Sequence, residues 1–393
     1  MRPRGLEPLR ELPDVLWLRS SRNRPGAPAT VPGRQAHGQK DGHGLQGVLK
    51  CIKSIEKPMI RDRPCRAQRN SSLIQTPTMI KIDVHQHLWT EPLVRSLADR
   101  SELPFVRVEN GLTVLFLASE RPYVIDTSAE TPARRTALLD LDGLDGALVC
   151  LSSPVGIESL PREQSLPLID AYHDGALSLG EPFGVWGAIA LDRPDPVDVD
   201  HALDRGCVGL SLPAGALAGV DAVARLRPVL ARLQSRGAPL FVHPGPGPGV
   251  GASEVGEASL RDPLWWPALT RYVAQVQAAW LAFVTAGRSE HPELRVVFSM
   301  LAGLAPLHAE RLHARGGPTP CLADPLLFYD TSSYGPSAVR MLEAAVGPEQ
   351  LLYGSDRPVV EPAELDMPDE LDWTPIADGT LRAFAHSRLA ATG

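Results

Sequence analysis

Four side chains at three places in the 393-residue chain have the types and settings to hold a divalent metal ion. His85 and His87 lie two residues apart in the stretch Ile80 to Trp89, which reads I-K-I-D-V-H-Q-H-L-W. Ile80, Ile82 and Val84 alternate there with Lys81 and Asp83, the pattern of a strand, and in an extended chain residues i and i+2 point the same way. Two imidazoles projecting side by side from a strand end are half of a chelate. His243 ends the apolar run Pro239 to Val242, and Asp356 follows the run Leu351 to Ser355. Three imidazoles and a carboxylate, brought together, suit Zn²⁺ with a position left for water.

These residues meet only if the chain carries the ends of distant strands to one rim. Apolar runs of strand type open at Ile80 and recur at Gly146–Ser152, Phe183–Leu191, Cys207–Leu212, Pro239–Val242, Leu294–Ser299, Leu326–Thr331 and Leu351–Tyr353. Helical spacing fills the intervals: Glu91–Ala98, a helix starting at Thr131-Pro132, Gln164–Leu179, Asp198–Arg205, Asp221–Ser235, Pro267–Ala286, Pro306–Ala314 and Val339–Ala345, with a terminal helix near Gly379–Ala391. A small hairpin, Leu112–Leu117 with Tyr123–Ile125, interrupts the alternation around Glu120-Arg121-Pro122. Eight strands with helical crossovers predict an α/β fold of the (β/α)₈ TIM-barrel type. An open doubly wound sheet is the other arrangement, but no Gly-x-Gly-x-x-Gly fingerprint follows a strand. In a barrel, strand C-termini share one mouth, and His85, His87, His243 and Asp356 all sit at such ends.

Residues 1–78 hold 15 Lys+Arg against 6 Asp+Glu, whereas the remainder holds 24 against 40. A body this acidic is not a nucleic-acid binder, because phosphate attraction needs a basic face. No apolar run approaches the roughly 20 residues of a membrane span, so a protein in solution is expected. Five scattered cysteines, Cys51, Cys65, Cys150, Cys207 and Cys321, form no close pair and read as free thiols in a reducing, cytoplasmic setting. Residues 1–78, rich in Arg, Pro and Gly, read as a disordered N-terminal extension, or as sequence ahead of a natural start at Met79. Residues 79–393 are the barrel domain.

Asp-Val-His-Gln-His at 83–87, Val-His-Pro-Gly at 242–245 and Leu-Tyr-Gly-Ser-Asp-Arg-Pro at 352–358 resemble the amidohydrolase superfamily. More narrowly they resemble its amidohydrolase-related branch, which includes aminocarboxymuconate-semialdehyde decarboxylase. Gly206 to Pro213 and Phe328 to Ser333 are similar to the family's fourth and seventh strand regions. The resemblance covers residues 79 to about 385. It implies His85, His87, His243 and Asp356 as ligands of one divalent metal ion. Binuclear members add a carboxylated Lys on a middle strand, and here Lys81 is the only lysine after residue 57. Similar barrels often pair as homodimers.

The resemblance also exposes a departure. Similar proteins end the sixth strand in a His, and Phe298-Ser-Met-Leu-Ala-Gly puts Met300 at that place. A thioether accepts hydrogen bonds weakly and carries no proton. Asp356 can still act as general base at the metal's edge. Arg357 is a candidate partner for a substrate carboxylate, and Trp89 a candidate pocket wall. Trp265-Trp266 is either a lid or a buried anchor, and His308 and His313 read as a solvated helical face. Three functions follow as expectations. The first is a metal-dependent hydrolase of a small amide, ester or lactone. The second is a non-hydrolytic decarboxylase of a small carboxylic acid. The third is a metal-binding barrel impaired in catalysis by Met300.

Overall fold

A computed structural model describes residues 80–118, 120–128, 131–249, 262–263, 265–360 and 371–385. The expectations for residues 1–78 lie outside them. Eight parallel strands, β1 (Ile82–Gln86), β5 (Gly146–Val149), β6 (Phe183–Gly187), β7 (Gly209–Pro213), β8 (Leu240–His243), β9 (Val296–Phe298), β10 (Leu327–Asp330) and β11 (Leu351–Leu352), pair in sequence order. The last strand returns to the first: Val84 N–H donates to Tyr353 O at 2.8 Å, and Gln86 bridges Arg357 in parallel. The sheet thus closes as the expected (β/α)₈ barrel.

The crossover helices are α1 (Glu91–Ala98), α2 (Pro132–Asp142), α3 (Arg162–Leu177), α4 (Pro196–Arg205), α5 (Val220–Ser235), α6 (Val273–Ala282), α7 (Ala309–Ala314) and α8 (Pro336–Val346). A last helix, α9 (Trp373–Ala383), begins earlier than the sequence suggests; residues 386–393 lie outside the described ones. Pro in the first turn starts α1, α2, α4 and α8, where its missing N–H costs nothing. The Asp195 carboxylate additionally caps α4 by accepting from Val197 N. None of the described helices is long and apolar enough to cross a membrane.

Between α1 and α2 an antiparallel sheet leaves the barrel: β2 (Phe105–Glu109), β3 (Leu112–Phe116) and β4 (Tyr123–Ile125). The hairpin expected at β3–β4 is there, but β2 was not anticipated. Its signal is the Asn110-Gly111 turn, where both residues adopt positive φ (52° and 79°), as a tight two-residue hairpin demands.

Each barrel strand is buried on both faces, which is why the strands read as near-continuous apolar runs. One face packs on the helices, while Ile82, Val84, Leu148, Trp186, Phe241, Val297, Phe328 and Leu352 fill the axis with Phe384 from beyond α9. Phe241 stacks on Trp186 at 5.1 Å and meets the His85 ring edge-on at 5.0 Å, so the packed axis is also the floor beneath the histidines. Phe241→Ala is expected to cost about 3–5 kcal/mol of folding stability, read from the denaturation midpoint at unchanged m-value.

Candidate metal centre

β1 ends in an irregularity: its pairing with β5 slips register between Asp83 and Gln86. Such slips re-aim side chains at barrel rims. Here both His85 and His87 turn inward and meet His243 from the end of β8. The three rings stand nearly perpendicular to one another, at 82–88°, with centroids 4.9–5.0 Å apart. His87 Nε2 lies 3.2 Å from His85 Nε2 and 3.2 Å from His243 Nε2. Asp356, in the turn after β11, brings Oδ1 to 3.1 Å from His87 Nε2 and 3.4 Å from His85 Nε2. All four predicted ligands therefore converge.

The tautomers decide what this convergence means. His85 Nδ1 faces the Asp330 carboxylate at 2.8 Å, His87 Nδ1 faces Cys150 O at 3.1 Å, and His243 Nδ1 faces Pro244 O at 2.7 Å. Carbonyls and a carboxylate only accept, so each Nδ1 carries its hydrogen and each neutral ring turns an Nε2 lone pair toward the others. Three lone pairs and a carboxylate oxygen at 3.1–3.4 Å attract one another only around a positive charge. Those separations match the edge of a tetrahedron, about 3.3 Å, formed by four donors roughly 2.0–2.1 Å from one ion. The donor set fits a divalent metal.

Without an ion, a proton serves instead. Burial opposes charge on His85, but Asp330, Cys150 and Asp356 overcome it and push its pKa up to about 10. Burial, together with His85 and His87, holds His243 well below the ordinary range. Asp356 is raised by burial, but the three histidines outweigh that and bring it down to about 2. Its second oxygen accepts from Ser333 Oγ at 3.1 Å.

Two residues escaped the sequence reading. Asp330, at the end of β10, orients His85 and also accepts from Met300 N (2.9 Å), Ser332 N (3.0 Å) and Ser332 Oγ (2.5 Å). Its strand-end position in Phe328 to Ser333 was a usable signal. Cys150 has the environment of a buried thiol, its pKa raised by desolvation, yet it joins the histidine cluster with Sγ 3.5 Å from His87 Nδ1. That is the side of the ring away from Nε2, so Asp356 is the better-placed fourth donor.

The other predicted residues are placed as follows. Trp89 is buried, its ring centroid 5.8 Å from that of Tyr123 of β4 in an edge-to-face contact, and walls the space beside His87. Met300 is buried next to Asp330 through its backbone. The Arg357 guanidinium lies against Asp142 of α2 at 2.7 Å, at the barrel wall. Trp265 and Trp266 are half-exposed, which removes the buried-anchor reading. His308 and His313 face solvent. The helix expected at Pro306–Ala314 starts at Ala309, because Met300 to Leu304 form a left-handed turn with φ of 50–64°.

A family model described as amidohydrolase matches residues 82–387. The chain belongs to the amidohydrolase family. No curated protein sequence matches this amidohydrolase, whereas solved structures match its fold. IDCase from Metarhizium anisopliae shares 15% identity at a TM-score of 0.63, covering 79% of this chain and 98% of its own. The 5-carboxyvanillate decarboxylase of Sphingomonas paucimobilis shares 15% identity at 0.59, covering 78% and 99%. A dihydroxybenzoic acid decarboxylase from Polaromonas, solved with manganese and the inhibitor 2-nitroresorcinol, shares 16% identity at 0.56, covering 78% and 97%.

The loop carrying His243 leans on a buried acid. Gly245 lies so close to Ser153 that a Cβ there would come within 2.6 Å of the serine Cβ. Ser153 Oγ donates to Glu158 Oε1 at 2.6 Å, and Ser159 Oγ donates to Pro246 O at 2.9 Å. Burial pushes Glu158 up from 4.5 to about 7, against the pull of the Ser153 bond. The unfolded chain releases this proton at lower pH than the folded one. The folded state therefore loses stability as pH rises from 4.5 to 7, and is constant above. The window amounts to roughly 3 kcal/mol. Denaturant melts are expected to show this decline in the wild type and its absence in Glu158→Gln.

Proposed function

We propose that this amidohydrolase is a divalent-metal-dependent decarboxylase of a small aromatic carboxylic acid. The observation that carries the reading is the meeting of three Nε2 lone pairs with Asp356 Oδ1, each ring locked from behind by an acceptor-only group. His85, His87, His243 and Asp356 hold the ion. Nitrogen-rich donors with one oxygen favour Zn²⁺ over Mn²⁺ in affinity, although manganese occupies one similar decarboxylase. When bound, the ion acts as a Lewis acid on a substrate oxygen.

The protein's own groups do the rest. Asp330 fixes the His85 ring and, through Met300 N, the turn after β9. Ser333 holds Asp356 by its second oxygen. Trp89, beside His87, offers an aromatic wall suited to a flat substrate. The expectation of hydrolysis yields to its alternative on two supports. Structures similar to this chain along its barrel include decarboxylases, and Met300 offers no proton for a leaving amine or alcohol. With Arg357 paired to Asp142, a bound ion would supply the positive charge for a substrate carboxylate. The impaired-barrel reading is then a matter of measurement.

Metal-loaded protein is expected to release CO₂ from hydroxybenzoic acids, and Asp356→Asn to lower the rate at least about 10²-fold. Turnover of lactones or amides with no CO₂ from any acid reverses the assignment to hydrolysis; bound metal without either supports impairment. Metal uptake should displace the proton from His85. In weak buffer about one proton per ion should then be released, and affinity should fall about tenfold per unit of acidification below neutrality.

A further inference from the structure

The turn after β10 commits three consecutive hydroxyls to the rim of the metal centre. Thr331-Ser332-Ser333 follows directly on Asp330. Thr331 Oγ1 accepts from Gly354 N at 3.2 Å, which ties this turn to the one carrying Asp356. Ser332 Oγ donates to Asp330 Oδ1, the carboxylate behind His85. Ser333 Oγ donates to Asp356 Oδ2 at 3.1 Å. Backbone bonds keep the two turns in step: Thr331 N donates to Leu352 O at 3.0 Å, and Asp356 N donates to His85 O at 2.9 Å.

The Asp356 carboxylate is therefore divided. Oδ1 stands 3.1 Å from His87 Nε2 and 3.4 Å from His85 Nε2, whereas Oδ2 is turned to the serine. A carboxylate can bind a divalent cation through one oxygen or through both. Ser333 also sits where the backbone suits a side chain poorly. Its φ is 62°, matched across the contact by 61° at Asp356. Glycine would relax this position, but it would bring no donor to Oδ2. A backbone outlier beside a candidate ligand points to a task for the side chain.

We propose that Ser333 is a positioning residue whose hydroxyl keeps Asp356 a one-oxygen donor, and so preserves an open place at the ion for an incoming ligand. This rests on the metal-dependent reading of the site. Three imidazoles and one carboxylate oxygen make four donors, and zinc sites expand to five when a further oxygen arrives. A second oxygen from Asp356 would fill that fifth place. The serine opposes this by engaging Oδ2 on the side away from the histidines. Hydrogen-bond partners of ligating carboxylates commonly carry about 10–100-fold in metal affinity or activity. Ser332 and Ser333 thus divide the work: one steadies the carboxylate that orients His85, the other the carboxylate that joins it.

The experiment uses the full chain at saturating Zn²⁺, as wild type, Ser333→Ala and Ser333→Gly, with metal content measured for each. Glycine suits the backbone here, so it separates loss of the hydroxyl from strain. Infrared difference spectra between metal-loaded and metal-free protein report the two carboxylate stretches of Asp356, assigned by their loss in Asp356→Asn. The stretches lie far apart for one-oxygen binding and close together for two. Wild type should show the wide spacing, and both variants the narrow one at unchanged metal content. Narrow spacing in the wild type, wide spacing in either variant, or metal loss from the variants overturns the proposal. With Co²⁺ in place of Zn²⁺, azide binding read from the visible spectrum should weaken about 10–100-fold in both variants; equal azide affinity overturns it as well. No metal uptake by the wild type sinks the metal-dependent reading itself, whereas uptake with any of the contrary results above sinks the role of Ser333 alone.

Discussion

Imidazole lone pairs repel. Three of them aimed at one point, with a carboxylate for company, form a stable arrangement only if a cation sits among them, and this constraint shapes the barrel from β1 to β11. Each ring is held from behind by a different part of the chain: Asp330 on β10, the carbonyl of Cys150 after β5, and the carbonyl of Pro244 after β8. No single loop could supply those acceptors. The closed barrel can, because it delivers every strand end to one rim. Orientation by such groups also makes the rings stronger donors, so the backing acceptors belong to the site as much as the Nε2 atoms do.

The rim stores backbone strain, and that strain falls next to the donors. Asp356 has φ of 61°, and Met300, Leu301, Ala302 and Leu304 lie at 50–64°. A left-handed residue with a side chain costs roughly 1–2 kcal/mol, so this run is held against a sizeable penalty. Polar contacts hold it: Asp330 Oδ1 and Ser332 Oγ accept from Met300 N, Ser299 O accepts from Ala302 N, and Gly303 O accepts from Gln277. The same carboxylate therefore orients His85 and restrains the turn after β9. Asp356 is restrained in turn by its own N–H, which donates to His85 O at 2.9 Å.

Much of this was legible in the sequence. Strand ends carrying His85, His87, His243 and Asp356 under one topology were enough to place all four at a common rim, because strand parity and barrel closure act over whole runs of residues. What stayed hidden depends on single long-range contacts. Arg357 looked available until α2 brought Asp142 to it, 215 residues away in sequence. Leu-Ala-Gly-Leu at 301–304 gives no warning of a left-handed turn, since only Gly303 favours positive φ. Asp330 and Asn110-Gly111 were different: their local signals were present and were passed over.

The seam where β11 rejoins β1 shows why the donors keep their register. β11 is two residues long, too short for ladder bonds alone to hold the closure. Side chains take over. Asp83 Oδ1 accepts from both His85 N and Ser355 N at 3.0 Å, so one carboxylate clamps the first histidine to the turn of Asp356. Its other oxygen accepts from Gln86 Nε2 at 2.7 Å, and Gln86 Oε1 accepts from Arg135 of α2 at 2.6 Å. Arg357, paired with Asp142 on the same helix, secures the next step of the chain. A buried charge stripped of its partner is strongly destabilising, so this network tolerates no slippage. A one-residue slip would send His85 to the opposite face and leave Asp83 unpaired. The polar seam thus fixes both chain ends around a common point, and the apolar axis beneath, topped by Phe241, sets the height at which that point lies.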